Sequence, residues 1–372
     1  MVSKNKNTYC PDYAIPPGET LLEIIQSKKM SQSELANRMG RPKKTINEII
    51  KGKAEITSET AIQLEYVLNV PANFWLNLEK NYRLDLARIA EVEKLATEKE
   101  WLKLFPLSKM RKYGWIDNSK DPVAIITQLL VFFGVASVEA WNQKWLCKNS
   151  EILFRKSKNR EVDFHALAVW LRKGEMDAEK IYPEKFNKSR FKERLQDIRN
   201  LTTLEPEEFI EKMTKICASC GVTLVFVPEL PKVPVHGVTR WLSADKVVIQ
   251  LSLYKKNDDH FWFSFFHEAA HVVLHGKRDF VYDEISESWD VAADDFAQNT
   301  LLPKSAYDYF VKHNSGRFTS SLVKEFADSQ NIAPGIVVGR LQHDGFIGYR
   351  KRVVSSPQAG GFLGAFSVSD LT

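Results

Sequence analysis

Apolar positions along this chain return with two different rhythms. Through residue 219, and again from 261, they recur with the roughly 3.6-residue period that buries one face of a helix. Between 222 and 253 they run together or alternate, as strands do. The helical rhythm predicts elements over residues 20–28, 32–39, 42–51, 58–68 and 71–78. A long amphipathic stretch at 74–105 ends at Pro106, and further helices are expected at 123–133, 163–173, 185–201 and 206–219. Residues 222–228 read as a short buried strand, and 236–242 with 246–253 as a hairpin around Ser243-Ala244-Asp245. The run 261–275 is apolar without Gly or Pro, long enough for about four helical turns. Gly276 ends it, and a second helix is expected over 289–297, closed by Pro303.

The second and third of these helices carry terminal signals. Ser31 is placed to cap the first, Glu34 three residues later completes a capping box, and Gly40 stops it. The next opens near Pro42, a residue suited to a first turn, and stops at Gly52. Ile46, Ile49 and Ile50 form its inner face. Arg41, Lys43, Lys44, Thr45 and Asn47 are then the candidate DNA-binding residues, facing outward as a recognition helix requires. With the flanking helices this is the five-helix arrangement of phage repressors. The run Thr45-Ile46-Asn47-Glu48-Ile49-Ile50-Lys51-Gly52-Lys53 and the segment Pro71-Ala72-Asn73-Phe74-Trp75-Leu76 resemble the HigA class of antitoxin and repressor proteins, over about residues 14–80. The resemblance implies a double-stranded DNA operator and a toxin partner. One helix-turn-helix reads one half-site, so a homodimer is expected. A basic solvated face, or a helix-turn-helix kept only for protein binding, is the other reading of the same residues.

Chemistry concentrates in His267-Glu268-Ala269-Ala270-His271. Residues four apart share a helix face, so His267 and His271 can place imidazole nitrogens on one metal ion. Glu268, beside the first histidine, is the candidate catalytic base for a metal-activated water. A catalytic zinc takes three protein ligands and leaves a fourth position to water. Asp290, 19 residues beyond His271, is the favoured third ligand; Glu284, Glu287 and Asp294 compete for that role. In the hairpin, His236 and Arg240 flank Val238 on one strand face. Both could stabilise an oxyanion or bind substrate, or form a surface pair. His275 reads as a packing residue or a support to the ligands.

This segment resembles the ImmA/IrrE group of metallopeptidases, in which an acidic residue stands thirteen positions before the Pro of a Leu-Leu-x-Pro-like ending. That register pairs Asp290 with Pro303 and puts Ala293, Phe296, Ala297 and Leu301 on the family's small and apolar positions. The family usually has Glu at the ligand position. Asp is one methylene shorter, so either the second helix sits closer or the metal is held less tightly. Residues 335–345 look like the family's closing segment, so the resemblance spans about residues 201–345.

Charge sharpens the picture at the front. Residues 1–53 hold ten Lys/Arg against five Asp/Glu, and the whole chain is also +5, from 52 basic and 47 acidic residues. The basic excess thus sits in one small domain, as phosphate contact would have it. An apolar content of 44% is that of an ordinary globular chain. No apolar stretch is expected to reach the roughly 18 residues of a membrane span, and the polar start lacks a signal-peptide core. A cytoplasmic location with no membrane partner follows. Four cysteines fit a reducing compartment; the Cys217-Ala218-Ser219-Cys220 pair ends a helix and reads as structural. Trp101, Trp115, Trp141, Trp145 and Trp170 read as packing residues.

The expected protein is multidomain. A flexible N-terminus (1–12) leads into an all-α, repressor-like helix-turn-helix domain (13–80). A helical intermediate region (81–200) connects to an α+β zincin-like metallopeptidase domain with a small sheet (201–345), and a tail follows (346–372). Its expected function is a DNA-binding regulator with a zinc-dependent endopeptidase that cuts a regulatory partner protein. The alternative is a non-enzymatic antitoxin or repressor whose second domain only binds a partner.

Overall fold

The computed structural model describes residues 13–146, 162–243, 245–252, 258–275, 287–314 and 317–348. The expected N-terminal arm (1–12), the turn residue Ala244, the helix-stopping Gly276, Glu284 and the tail beyond 348 lie outside the described residues. The chain divides into two compact units: Met1–Lys99 with Asp121–Ile126, and Glu100–Lys120 with Thr127–Thr372.

The first unit holds α1 (Pro17–Ser27), α2 (Gln32–Met39), α3 (Lys43–Ile50), α4 (Ser58–Leu68) and α5 (Ala72–Thr97). Local chemistry sets the ends of α2. The Ser31 hydroxyl accepts from the Glu34 backbone N–H at 3.1 Å, and Gly40 takes the left-handed conformation (φ 64°) that closes the last turn. The Glu34 side chain pairs with Arg38, so the cap is a serine cap and not the expected reciprocal box. Leu21, Ile25, Leu35, Met39, Ile46, Ile49, Leu64, Leu68 and Trp75 share one core. Gly18 permits α1 to approach α3, since a Cβ there would lie 2.3 Å from the Ile50 backbone. Helix α5 is 26 residues long. The domain boundary expected at residue 80 therefore falls inside a continuous helix.

The second unit begins with a 3₁₀ turn (Lys99–Leu104), α6 (Leu107–Lys112), the end of α7 (Pro122–Phe133) and α8 (Val138–Trp141), which runs into a π turn (Asn142–Leu146). Here one expectation needs correction. The segment Pro122–Leu146 is long and apolar enough to cross a membrane, its most apolar 18 residues reaching a mean hydropathy of 2.0. Isolated polar residues had concealed this. The structure nevertheless breaks that segment at Gly134, where φ is 62°. The 12 residues of α7 span only about 18 Å, well short of a roughly 30 Å hydrocarbon core. Phe133, Trp141 and Trp145 are buried, with rings meeting edge to face.

Next come α9 (Phe164–Ala178), α10 (Lys188–Arg199), α11 (Pro206–Ser219) and a sheet of β1 (Val222–Val227), β2 (Gly237–Ser243) and β3 (Lys246–Ser252). The strand order is β1-β3-β2, with β1 parallel and β2 antiparallel to the central β3. Helices α12 (Asp258–Ala270), α13 (Glu287–Leu301), α14 (Lys304–Asn314), α15 (Ser320–Gln330) and α16 (Pro334–His343) complete the unit. The sheet is covered on both sides, which explains the near-continuous apolar runs of β1 and β3. Val222, Leu224, Phe226, Val247, Ile249 and Leu251 face the main core with Phe261, Trp262, Phe265 and Phe266 of α12. The alternate residues Val225 and Val248 face α9. Cys217 and Cys220 are buried in the core, and burial pushes the Cys217 thiol well up. The pair is structural.

Candidate functional site

Two helices build the metal-type cluster. His267 of α12 and His271, the first residue of the π turn that continues it (His271–His275), lie four apart, and their Nε2 atoms are 3.1 Å from each other. Helix α13 packs along α12 and delivers Asp290. Its Oδ1 is 3.8 Å from His267 Nε2 and 3.6 Å from His271 Nε2. All three ligand atoms fall within 4.8 Å of one another. Donors held at about 2.0–2.1 Å around a tetrahedral zinc stand roughly 3.3 Å apart, so these separations fit that ion. Asp290 Oδ1 is itself buried and has no hydrogen-bond partner among the described residues, although the side chain as a whole is partly exposed. A buried carboxylate oxygen of this kind is costly unless a cation or donor completes it. Asp290 thus reaches the histidines despite its shorter side chain.

Around this cluster the supporting groups are specific. From His271 to His275 the helix widens into a π turn, a feature frequent at functional sites. The His275 ring stacks on Trp289 at 4.6 Å and 17°, so it packs between the helices and is not one of the three donors. Asp294, one turn beyond Asp290, places Oδ1 2.7 Å from His267 Nδ1, the other ring nitrogen. Glu268 is 3% exposed. Thr239 of β2 puts its hydroxyl 2.8 Å from Glu268 Oε2 and 2.9 Å from the Glu268 carbonyl oxygen. Gly237 leaves the room that the carboxylate occupies, because a Cβ there would come within 2.7 Å of Glu268 Cγ.

Of the competing ligands, Asp294 serves a histidine, Glu284 lies outside the described residues, and so does the side chain of Glu287. The expectation that His236 and Arg240 share one strand face toward the cleft is not met by Arg240. Arg240 is buried on the opposite face of the sheet from Thr239. Its guanidinium bonds Glu175 (2.8 Å), the Leu171 carbonyl (2.9 Å) and Gln250 (3.3 Å), so it is a structural cation and not an oxyanion donor. His236 precedes β2, where strand alternation no longer governs it. Its ring lies parallel to His260 of α12 at 6.2 Å.

In the first unit, α2 and α3 form the paired helices. Lys43 and Lys44 are exposed and Thr45 and Asn47 partly exposed on α3, while Ile46 and Ile49 are buried beneath. Lys44 lies a loose 3.8 Å from Glu48. Arg41 departs from expectation: its Nε bonds Gln63 at 2.5 Å and it pairs with Glu59 at 3.2 Å, tying it to α4. Sequence spacing could not show this, because both partners lie a helix away.

Residues 21–75 match the HTH_3 helix-turn-helix family. A relative described as an uncharacterized HTH-type transcriptional regulator, YddM of Escherichia coli strain K12, is 33% identical over 78 residues, which are 21% of this chain and 78% of that protein. The chain belongs to the helix-turn-helix family. Two solved structures are similar to part of this helix-turn-helix protein. One is PA4674 of Pseudomonas aeruginosa in complex with its operator DNA, with 32% identity, 21% of this chain, 85% of that chain and a TM-score of 0.20. The other is an addiction module antidote protein of the HigA family from Coxiella burnetii, with 32% identity, 23% of this chain, 94% of that chain and a TM-score of 0.21. The family match lies at the front of the chain, and the metal-type cluster lies outside it. Two neighbours of the cluster escaped sequence reasoning, Thr239 against Glu268 and the contact of Asp294 with the His267 ring. Only the crossing of β2 and α13 with α12 brings them to the site.

Proposed function

We propose that this chain is a DNA-binding regulator whose second unit is a zinc-dependent peptidase acting on a regulatory protein. Family membership and a relative described as a transcriptional regulator support the first half. Helix α3 enters the major groove; Lys43 and Lys44 hold phosphates while Thr45 and Asn47 read base edges. A dimer places two such helices on the half-sites of an operator.

The second half rests on one observation, the convergence of His267 Nε2, His271 Nε2 and Asp290 Oδ1. These residues would hold the ion. When bound, zinc supplies Lewis-acid activation of water and of the scissile carbonyl. Glu268 takes the proton of the attacking water on its carboxylate and passes it to the leaving amine. Thr239 holds that carboxylate against β2. Strand β2 is at the sheet edge, where an extended substrate backbone can pair with it.

The test is Glu268→Gln, compared with wild type on a reporter under the protein's own operator. The amide cannot accept the proton, so induction should fail while zinc and DNA binding persist. Equal induction in both strains would refute the peptidase. A second reading is favoured by Asp290 standing where the resembled peptidases usually carry Glu: an antitoxin or repressor whose second unit only binds a partner. On that reading Glu268→Gln behaves as wild type.

A further inference from the structure

A histidine that offers Nε2 to a metal must carry its proton on Nδ1. At His267, Nδ1 faces Asp294 Oδ1 at 2.7 Å while Nε2 faces His271 and Asp290. The two ring nitrogens therefore look at two different carboxylates. Asp290 and Asp294 lie one turn apart on α13, and His267 and His271 lie four residues apart where α12 runs into its π turn. Their distances separate their roles. Asp290 Oδ1 stands nearly equidistant from both Nε2 atoms, at 3.6 and 3.8 Å, too far for hydrogen bonds and suited to sharing an ion. Asp294 makes one short contact, to the ring edge that points away from the cluster.

We propose that Asp294 is a positioning residue for the metal centre, accepting the Nδ1–H of His267 and thereby fixing its tautomer and ring plane. The inference rests on the zinc reading above and adds to it how the site holds the ion through a short Asp290. A charged acceptor at Nδ1 makes Nε2 a stronger donor, so Asp294 offsets the weaker grip of an Asp ligand.

The experiment uses the full chain and Zn²⁺ alone, with affinity read by competition against a chromophoric chelator. Asp294 is about half exposed, at 47%, so its replacement is tolerated by the fold. Asp294→Ala should weaken zinc binding by about 10–100-fold. Asp294→Asn, which keeps the acceptor oxygen but not the charge, should fall between it and wild type. Imidazole ¹⁵N spectra of the metal-free chain give a signature that a merely structural role would not move. They should show His267 as the Nδ1–H tautomer in wild type and a shift toward Nε2–H in Asp294→Ala. An Asp294→Ala affinity within about twofold of wild type, or an unchanged tautomer, overturns the proposal. So does loss of zinc in Asp294→Ala with retention in Asp290→Ala, which would make Asp294 the ligand. A wild-type chain that takes no zinc ends the metal reading itself, a different result from any of these.

Discussion

Replacing Gly18 by Ala tests the contact that seats α3. An ideal Cβ at Gly18 would lie 2.3 Å from the Ile50 Cα and carbonyl oxygen and 2.4 Å from the Ile49 carbonyl oxygen. Ordinary contact starts at 3.4 Å, so α1 and α3 must part by about 1.1 Å. All three neighbours are backbone atoms, and no rotamer change can relieve them. Overpacking costs about 1–3 kcal/mol, and rigid neighbours place this case near the top. Alanine's better helix propensity returns up to about 1 kcal/mol. The net loss should be roughly 2 kcal/mol, lowering the melting temperature of this unit by roughly 8–16 °C for a domain of its size. Calorimetry on the full chain measures it, with Gly348→Ala as control, since a Cβ at Gly348 meets no described residue within 4 Å. A shift below about 2 °C would refute the close approach. Because the displaced helix is the one proposed to read DNA, operator affinity should fall in the same variant.

Other outcomes follow from separate parts of the molecule. X-ray fluorescence on purified protein should find about one zinc per chain, lost in His267→Ala or His271→Ala and weakened in Asp290→Ala; full occupancy in Asp290→Ala would remove Asp290 from the ligand set. Lys43→Ala with Lys44→Ala should weaken DNA binding and reduce the salt slope by about 2, one phosphate contact each. Unaltered affinity across several salt concentrations would take α3 out of the interface. His165 stacks on Trp141 at 5.0 Å, and burial lowers its pKa below the ordinary 6.5, with Asp163 pulling the other way. The unfolded chain then takes the proton first, so stability should fall as pH drops below about 6.5. His165→Phe should flatten that fall in denaturant titrations, and an identical slope in both proteins would contradict it.

How much was legible in the sequence depended on how far apart the deciding residues lay. Helices α4 and α11 begin and end where the apolar rhythm placed them, because Thr57 caps one and Pro206 opens the other. The β2–β3 hairpin followed from its short connection. The parallel pairing of β1 with β3 did not, since it joins residues 25 apart (Val222 with Val247). The rhythm of residues 74–105 gave a long helix but not its end, for the turn of tighter helix after Thr97 has no Gly or Pro to announce it. At the site, His267, His271 and Asp290 were readable as one cluster from spacing. Which carboxylate meets which ring nitrogen depends on how α13 crosses α12. Alternation put Arg240 on a definite face of its strand, but not which helix would cover that face.

That last residue has a consequence for how the chain finds its shape. Neighbouring positions on β2 carry opposite instructions: Thr239 must meet Glu268 on α12, and Arg240 must meet Glu175 on α9. Gln250 spans the same back face, bonding the Trp170 carbonyl at 2.7 Å, and Gly174 makes room for it. A slip of β2 by a single residue would exchange the two faces. It would leave the Glu175 carboxylate with Arg172 alone and swing the Arg240 guanidinium to the front of the sheet, at a cost of several kcal/mol. The strand is therefore keyed like an asymmetric plug. Its alignment is checked by charge on the side away from the chemistry, and only the correct insertion leaves the Glu268 carboxylate in place.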